Sequence, residues 1–229
     1  MGETETPRRN LTRAVVPALA AAVLAGLGTM LVVGRNGDDV AVGRECTLGG
    51  LQQIGGPIDL VGGDGAAVTQ ADFAGRPTVV YFGFAHCPDV CPTSMLTLAE
   101  ALKQVRTDVR PVLVTVDPER DTPALMRDYV QTSGFPPGLI GLSGSREQVD
   151  AAIAAFRVTA VRANIPGAPD DVYNVDHSSF LYVLDGNWRT VSIVQTIRRE
   201  REDDPRSPMI AVPPAEIAAC ISAGLRQAA

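Results

Sequence analysis

The chain has 229 residues, 45% of them hydrophobic and 20% charged, with a formal net charge of −6. That size suits one well-packed domain with additions rather than two full domains. The acidic balance argues against nucleic acid as a partner, because phosphates need Lys and Arg to neutralise them. Four cysteines in so long a chain do not make a small disulfide scaffold.

Residues 1–13 carry Arg8, Arg9 and Arg13. From Ala14 to Val33 the chain runs without a charge. As a helix, that stretch matches the roughly 30 Å hydrocarbon core of a bilayer. With basic residues before it and Asp38 and Asp39 after it, the positive-inside rule predicts a membrane anchor over 14–34. Residues 1–13 then lie in the cytoplasm and the rest of the chain lies outside it. The alternative is a cleaved signal peptide, although no small-x-small cleavage site stands near Gly34. Outside the cytoplasm thiols tend to oxidise, which bears on every cysteine that follows.

Residues 35–53 are Gly-rich and polar and read as a linker, leaving 54–229 as the folded domain. Ile58–Val61 and Ala66–Val68 flank Gly62-Gly63-Asp64-Gly65 and predict a hairpin. Pro77–Phe84 is a β-branched and aromatic run and predicts a buried strand. Met95, Leu98, Leu102 and Val105 recur at three and four, predicting a helix over 92–105. Pro111–Val116 predicts a second buried strand. A helix from about Pro123 to Gln131 follows, with Thr122 or Asp121 as its cap. Ile140–Leu142 predicts a short strand or extended link, and Ser145–Phe156 a helix opened by Ser145 and Gln148 in capping-box spacing. Val161–Val175 reads as polar and irregular. Ser179–Leu184 and Thr190–Val194 flank Asp185-Gly186-Asn187 and predict a second hairpin, and Pro213–Arg226 predicts a closing helix.

Strands alternating with helices and ending in a hairpin give an α/β, thioredoxin-like fold. It has a mixed central sheet and an added hairpin, and one transmembrane helix precedes it. In open α/β sheets the site lies beyond the carboxyl ends of the strands, which here means residues 85–91 and 117–121.

The chemistry concentrates in Cys87-Pro-Asp-Val-Cys91. Cysteines four apart share a face if the segment turns helically, so their sulfurs converge on one ion or form a disulfide. Cys91 lies at the start of the predicted helix, where N–H groups and the helix dipole favour thiolate. Soft thiolates select copper(I), and a neutral imidazole completes a three-coordinate site. The chain has two histidines, His86 and His177. His86 adjoins Cys87, but a neighbour on an extended loop usually points away. Zinc is the rival metal. It wants four protein ligands, and Asp89 or Asp176 could supply the fourth. A blue-copper site uses two His and one Cys, which does not match. Taken alone, the cysteine pair is divided between disulfide chemistry and metal binding.

Three blocks carry a family resemblance. The segment Tyr81-Phe-Gly-Phe-Ala-His-Cys-Pro-Asp-Val-Cys-Pro92 resembles the signature of the Sco/SenC family. Val116-Asp-Pro-Glu-Arg-Asp-Thr-Pro123 resembles its second block and Val175-Asp-His177 its third, in family order. The resemblance spans about residues 54–225. It implies a thioredoxin-like fold, a membrane anchor, and copper held by Cys87, Cys91 and His177. It also implies delivery of copper, or of electrons, to the dinuclear copper A site of cytochrome c oxidase subunit II. A periplasmic copper chaperone or thiol reductase would be a further partner, and the chain would be a single-pass bacterial inner-membrane protein with its domain in the periplasm. One copper ion per domain is expected, with Cu(I) favoured and Cu(II) tolerated.

Around that core, Asp117 and Asp176 are candidates to orient the site from outside the ligand set, each with a turn or solvent role as the alternative. Arg120 and Asp121 are expected to form an ion pair. Cys46 and Cys220, at the two ends of the domain, either form a structural disulfide or stand as two separate thiols. Three functions compete. The first is a metallochaperone without turnover. The second is a thiol–disulfide oxidoreductase using Cys87 and Cys91 as its redox pair. The third is a redox sensor of peroxiredoxin type, for which the expected Thr near Cys87 is missing.

Overall fold

Every residue of β4 (Thr78–Gly83) is buried. A strand covered on both faces needs no polar alternation, which is why this one reads as a continuous apolar run. β5 (Arg110–Thr115) and β6 (Ile140–Ser143) continue from it in parallel. On the other edge of β4, β9 (Phe180–Leu184) pairs antiparallel, followed by β10 (Thr190–Gln195) and β1 (Cys46–Leu48). Beyond β6 lie β2 (Asp59–Gly62) and β3 (Ala67–Thr69). The eight strands run in the order β1-β10-β9-β4-β5-β6-β2-β3. This computed structural model describes residues 46–228 apart from 49, 52, 170 and 171. The anchor predicted over 14–34 lies outside them, and among the described residues no helix is long and apolar enough to cross a membrane.

Among the described residues, four α-helices cover the sheet. They are α1 (Val90–Leu102), α2 (Pro123–Tyr129), α3 (Arg146–Ala155) and α4 (Pro214–Gln227). α1 buries Cys91, Ser94, Met95, Leu98 and Ala101, a stripe at helical spacing, and packs against α4. α4 lies across β10. α2 begins where Thr122 accepts a hydrogen bond from the Leu125 N–H, and α3 where Ser145 and Gln148 close the expected capping box. The thioredoxin-like order, a parallel β4–β5–β6 block with a late antiparallel hairpin, stands as the sequence predicts it.

Four differences matter. Residues 161–175, expected to be irregular, hold two strands, β7 (Ala160–Asn164) and β8 (Tyr173–His177), in a separate antiparallel pair. Tyr173 and Val175 are buried while Asn174 and Asp176 are exposed, a period of two that polar composition obscures. β1 falls inside the segment read as linker. A further small sheet, β11 (Ile197–Arg199) with β12 (Met209–Ala211), joins β10 to α4. α1 starts at Val90 and stops at Leu102, so Val105 lies past its end.

Candidate metal centre

The chain leaves β4 at Gly83, turns over the carboxyl end of the sheet and enters α1 at Val90. Cys87 sits on that turn and Cys91 in the first turn of the helix. The Cys87 N–H donates to the Phe84 carbonyl at 3.3 Å, and the Cys91 N–H donates to Cys87 Sγ at 3.3 Å. A Cβ at Gly83 would stand 3.0 Å from Cys91 Sγ and 2.8 Å from a ring carbon of Tyr81. Glycine is therefore what lets the Cys91 sulfur lie against the strand end.

His177 reaches the same point from the last residue of β8. Its Nε2 is 3.3 Å from Cys91 Sγ, and its Nδ1 is 3.0 Å from the Ser178 carbonyl. A carbonyl only accepts, so Nδ1 carries the hydrogen and Nε2 presents its lone pair to the sulfurs. The ring is held edge-on by Tyr81 and Phe84, with centroids 6.0 and 5.8 Å away. The donor atoms of Cys87, Cys91 and His177 lie within 4.8 Å of one another, the single such group among the described residues. Two thiols and one imidazole fit a soft, low-coordinate ion; a closed zinc site would need a fourth donor. Asp176 is exposed, on the opposite pleat from His177, and Asp89 is not part of the group.

The two sulfurs are electrostatically unequal. The hydrogen bond from Cys91 draws the Cys87 thiol down to about 4, with His177 and the N–H groups of Cys91 and Asp89 helping and burial opposing. Cys91 is pushed up by the same bond to Cys87 and by its own burial. Near neutrality the pair shares one thiolate, centred on the half-buried Cys87. In the reduced, metal-free protein, iodoacetamide is therefore expected to alkylate Cys87 at a nearly constant rate from about pH 7.5 down to about pH 5.5. An ordinary thiol slows roughly tenfold per pH unit over that range. Peptide mapping of the alkylated cysteine checks this, and ordinary tenfold slowing would remove the shared-thiolate picture.

Two further clusters hold the walls of the site. Asp121 is wholly buried and accepts hydrogen bonds from the Ala85 N–H at 3.0 Å and the Thr115 hydroxyl at 2.7 Å. His86 Nδ1 lies 3.4 Å from its other oxygen, so His86 is turned away from the sulfurs. Asp121 therefore fastens the turn two residues before Cys87. Asp117, also buried, accepts from the Tyr173 hydroxyl at 2.8 Å and pairs with Arg120. Arg120 donates to the Tyr173 carbonyl at 2.9 Å and stacks over the Tyr173 ring at 3.7 Å. Tyr173 opens the strand that His177 closes. Asp117 thus acts on the hairpin that presents the imidazole and does not touch the donors.

These contacts correct one expectation and decide between the alternatives left open in two others. Arg120 pairs with Asp117 and not with Asp121, because Asp121 points inward to Thr115 and Ala85. Asp121 is a loop fastener while Thr122 supplies the cap. Asp176 faces solvent, and the Ser178 carbonyl orients His177 in its place. The sequence reading missed Tyr173 altogether, although its place two residues before Val175 and four before His177 was a signal of a common face. Cys46 and Cys220 stand apart from the site, on β1 and α4.

A dithiol on a strand-to-helix turn, completed by an imidazole from a neighbouring hairpin, defines a thioredoxin-fold protein with a metal-competent Cys-Cys-His centre. The sequence model of the SCO1/SenC family matches residues 47–204, and the chain belongs to that family. Protein SenC of Rhodobacter capsulatus is 38% identical over 178 residues, covering 76% of this chain and 78% of that protein. The mitochondrial SCO1 homolog 1 of Arabidopsis thaliana is 39% identical over 153 residues. That match covers 65% of this chain and only 44% of the plant protein, so the chain spans less than half of that relative. Among solved structures, Arabidopsis ScoI with copper bound aligns at a TM-score of 0.61 and 32% identity, over 76% of this chain and 99% of that one. Bradyrhizobium japonicum ScoI with copper bound aligns at 0.57 and 36%, over 75% and 99%.

Proposed function

We propose that this chain is a copper metallochaperone that binds one copper ion through Cys87, Cys91 and His177 and passes it to the copper A site of cytochrome c oxidase subunit II during oxidase assembly. The observation that carries the proposal is the convergence of the three donors, from two separate elements, within 4.8 Å. Disulfide exchange needs only the cysteines; an imidazole with its lone pair aimed at them is what a metal requires. Copper structures of relatives at 32% and 36% identity support the choice of metal. The low pKa of Cys87 supports loading, since fewer protons must leave before the ion binds. We place the domain on the periplasmic side of a bacterial inner membrane, held by residues 14–34. Transfer proceeds by ligand exchange, with the partner's sulfurs replacing Cys87 first because it is the more exposed.

A second reading is a thiol–disulfide oxidoreductase that reduces the copper-ligand cysteines of the same subunit. The half-buried, thiolate-prone Cys87 beside a buried resolving Cys91 favours it. One experiment separates the two. Copper(I)-loaded protein is mixed anaerobically with the metal-free, reduced copper A domain, and the proteins are then separated for metal analysis. Copper recovered on the partner is the expected result. A reduced partner that takes no copper from the loaded protein, with an oxidised copper A domain whose disulfide the reduced, metal-free protein opens in a parallel mixture, would establish the second reading instead.

A further inference from the structure

Cys46 and Cys220 take no part in the site, yet the fold sets them on facing surfaces. Cys46 pairs across the ladder with Val194 of β10. Residues directly opposite in an antiparallel pair project to the same face, and so do residues two apart in one strand. Cys46, Ser192 and Val194 therefore share a face, and Cys46 Sγ lies 3.6 Å from the Ser192 hydroxyl. α4 covers that face. A Cβ at Gly224 would stand 2.7 Å from Ser192 Cβ, which fixes Gly224 directly over Ser192. The helix runs antiparallel to β10, because Val212, just before it, donates to the Thr196 carbonyl at 2.9 Å. Cys220 is one turn before Gly224, about 6 Å back along the helix. Two residues along β10 cover nearly the same distance, from Ser192 to Val194. That brings Cys220, which is wholly buried, to the level of Val194 and hence of Cys46.

We infer that Cys46 and Cys220 form a second, structural disulfide that clamps the first strand of the domain to its last helix and resists reductants that open the Cys87–Cys91 pair. It forms by exchange with a disulfide oxidant such as oxidised glutathione. One cysteine thiolate attacks the oxidant and releases one glutathione thiolate. The other then attacks the mixed disulfide and releases the second. The protein gives up two protons and two electrons, and two glutathione molecules carry them away. Because Cys220 is sealed beneath α4, the bond closes during folding, before that helix settles on β10.

The two pairs differ in rank for physical reasons. The Cys46–Cys220 bond encloses nearly the whole domain, and long enclosed loops restrict the unfolded chain most. One of its sulfurs is shut away from attacking thiolates. Cys87 is half-exposed, so an attacking thiolate can reach the Cys87–Cys91 bond. A reductase can thus clear the metal site without unfastening the edge strand that follows the proposed tether. The inference does not depend on which metal, or whether any metal, occupies the site.

The test uses the full-length protein, isolated oxidised in detergent and exposed to stepped dithiothreitol before thiol blocking, non-reducing digestion and mass mapping. Expected are a linked peptide pair carrying Cys46 and Cys220, and blocking of Cys87 and Cys91 at a dithiothreitol concentration at least about tenfold below that which releases Cys46 and Cys220. Cys46 and Cys220 blocked as thiols in molecules whose Cys87–Cys91 bond is intact would overturn the clamp. Release of both pairs at the same concentration would overturn the ranking. The mapping needs no variant, so a failure to fold cannot obscure either outcome.

Discussion

His177→Ala is expected to weaken copper(I) binding by more than about a hundredfold while leaving the fold and the Cys87–Cys91 disulfide intact. Loss of an orienting partner outside the ligand set commonly costs about 10- to 100-fold in metal affinity, and loss of a ligand should exceed that. The side chain lies at the end of β8, partly exposed, with its ring against Tyr81 and Phe84. Its truncation removes little buried surface, and the two thiols remain. Competition titration against a chromophoric copper(I) chelator measures the affinity. Parallel glutathione equilibration shows that the disulfide still forms. A thiol oxidoreductase without a metal role would lose nothing in the titration.

Asp121→Ala should lower stability by about 2–5 kcal/mol, the cost of leaving the Ala85 N–H and the Thr115 hydroxyl without an acceptor. Asp121→Asn should cost far less. Its oxygen can take both hydrogen bonds while its amide meets His86. Burial raises the Asp121 carboxyl above its ordinary range. The folded state then holds that proton more tightly than the unfolded state. Stability from this group is fully present at acid pH and falls as pH rises from about 4 through the folded value. Asp121→Asn should flatten that slope. Thermal unfolding of the three proteins across the window checks both the order and the slope, and equal melting temperatures for the Ala and Asn variants would contradict the role given to the carboxylate.

The donors were legible in the sequence because each one was scarce: two close cysteines and one histidine beyond the motif. The buried strands β4 and β5 were legible because an unbroken β-branched run has few other uses. The elements that aim the donors were not. The β7–β8 hairpin alternates buried Tyr173 and Val175 with polar residues, and the Pro- and Gly-containing stretch between its strands hides the period. Asp121 precedes a cap and a proline, so its sequence context suggests a helix start. Only the fold shows it turned inward to the Cys87 turn. β1 is three residues long, too short for any period to appear, so Cys46 read as linker. In each case what fixes the element is a partner elsewhere in the chain: Ala160–Asn164 for β8, Ala85 and Thr115 for Asp121, and Ser192–Val194 for β1.

The most direct test of a Cys87–Cys91–His177 centre is X-ray absorption at the copper edge of the copper(I)-loaded domain. The account predicts a three-coordinate ion with two sulfur scatterers and one imidazole nitrogen, the nitrogen disappearing in His177→Ala. A spectrum with two sulfurs only, unchanged in that variant, would contradict it.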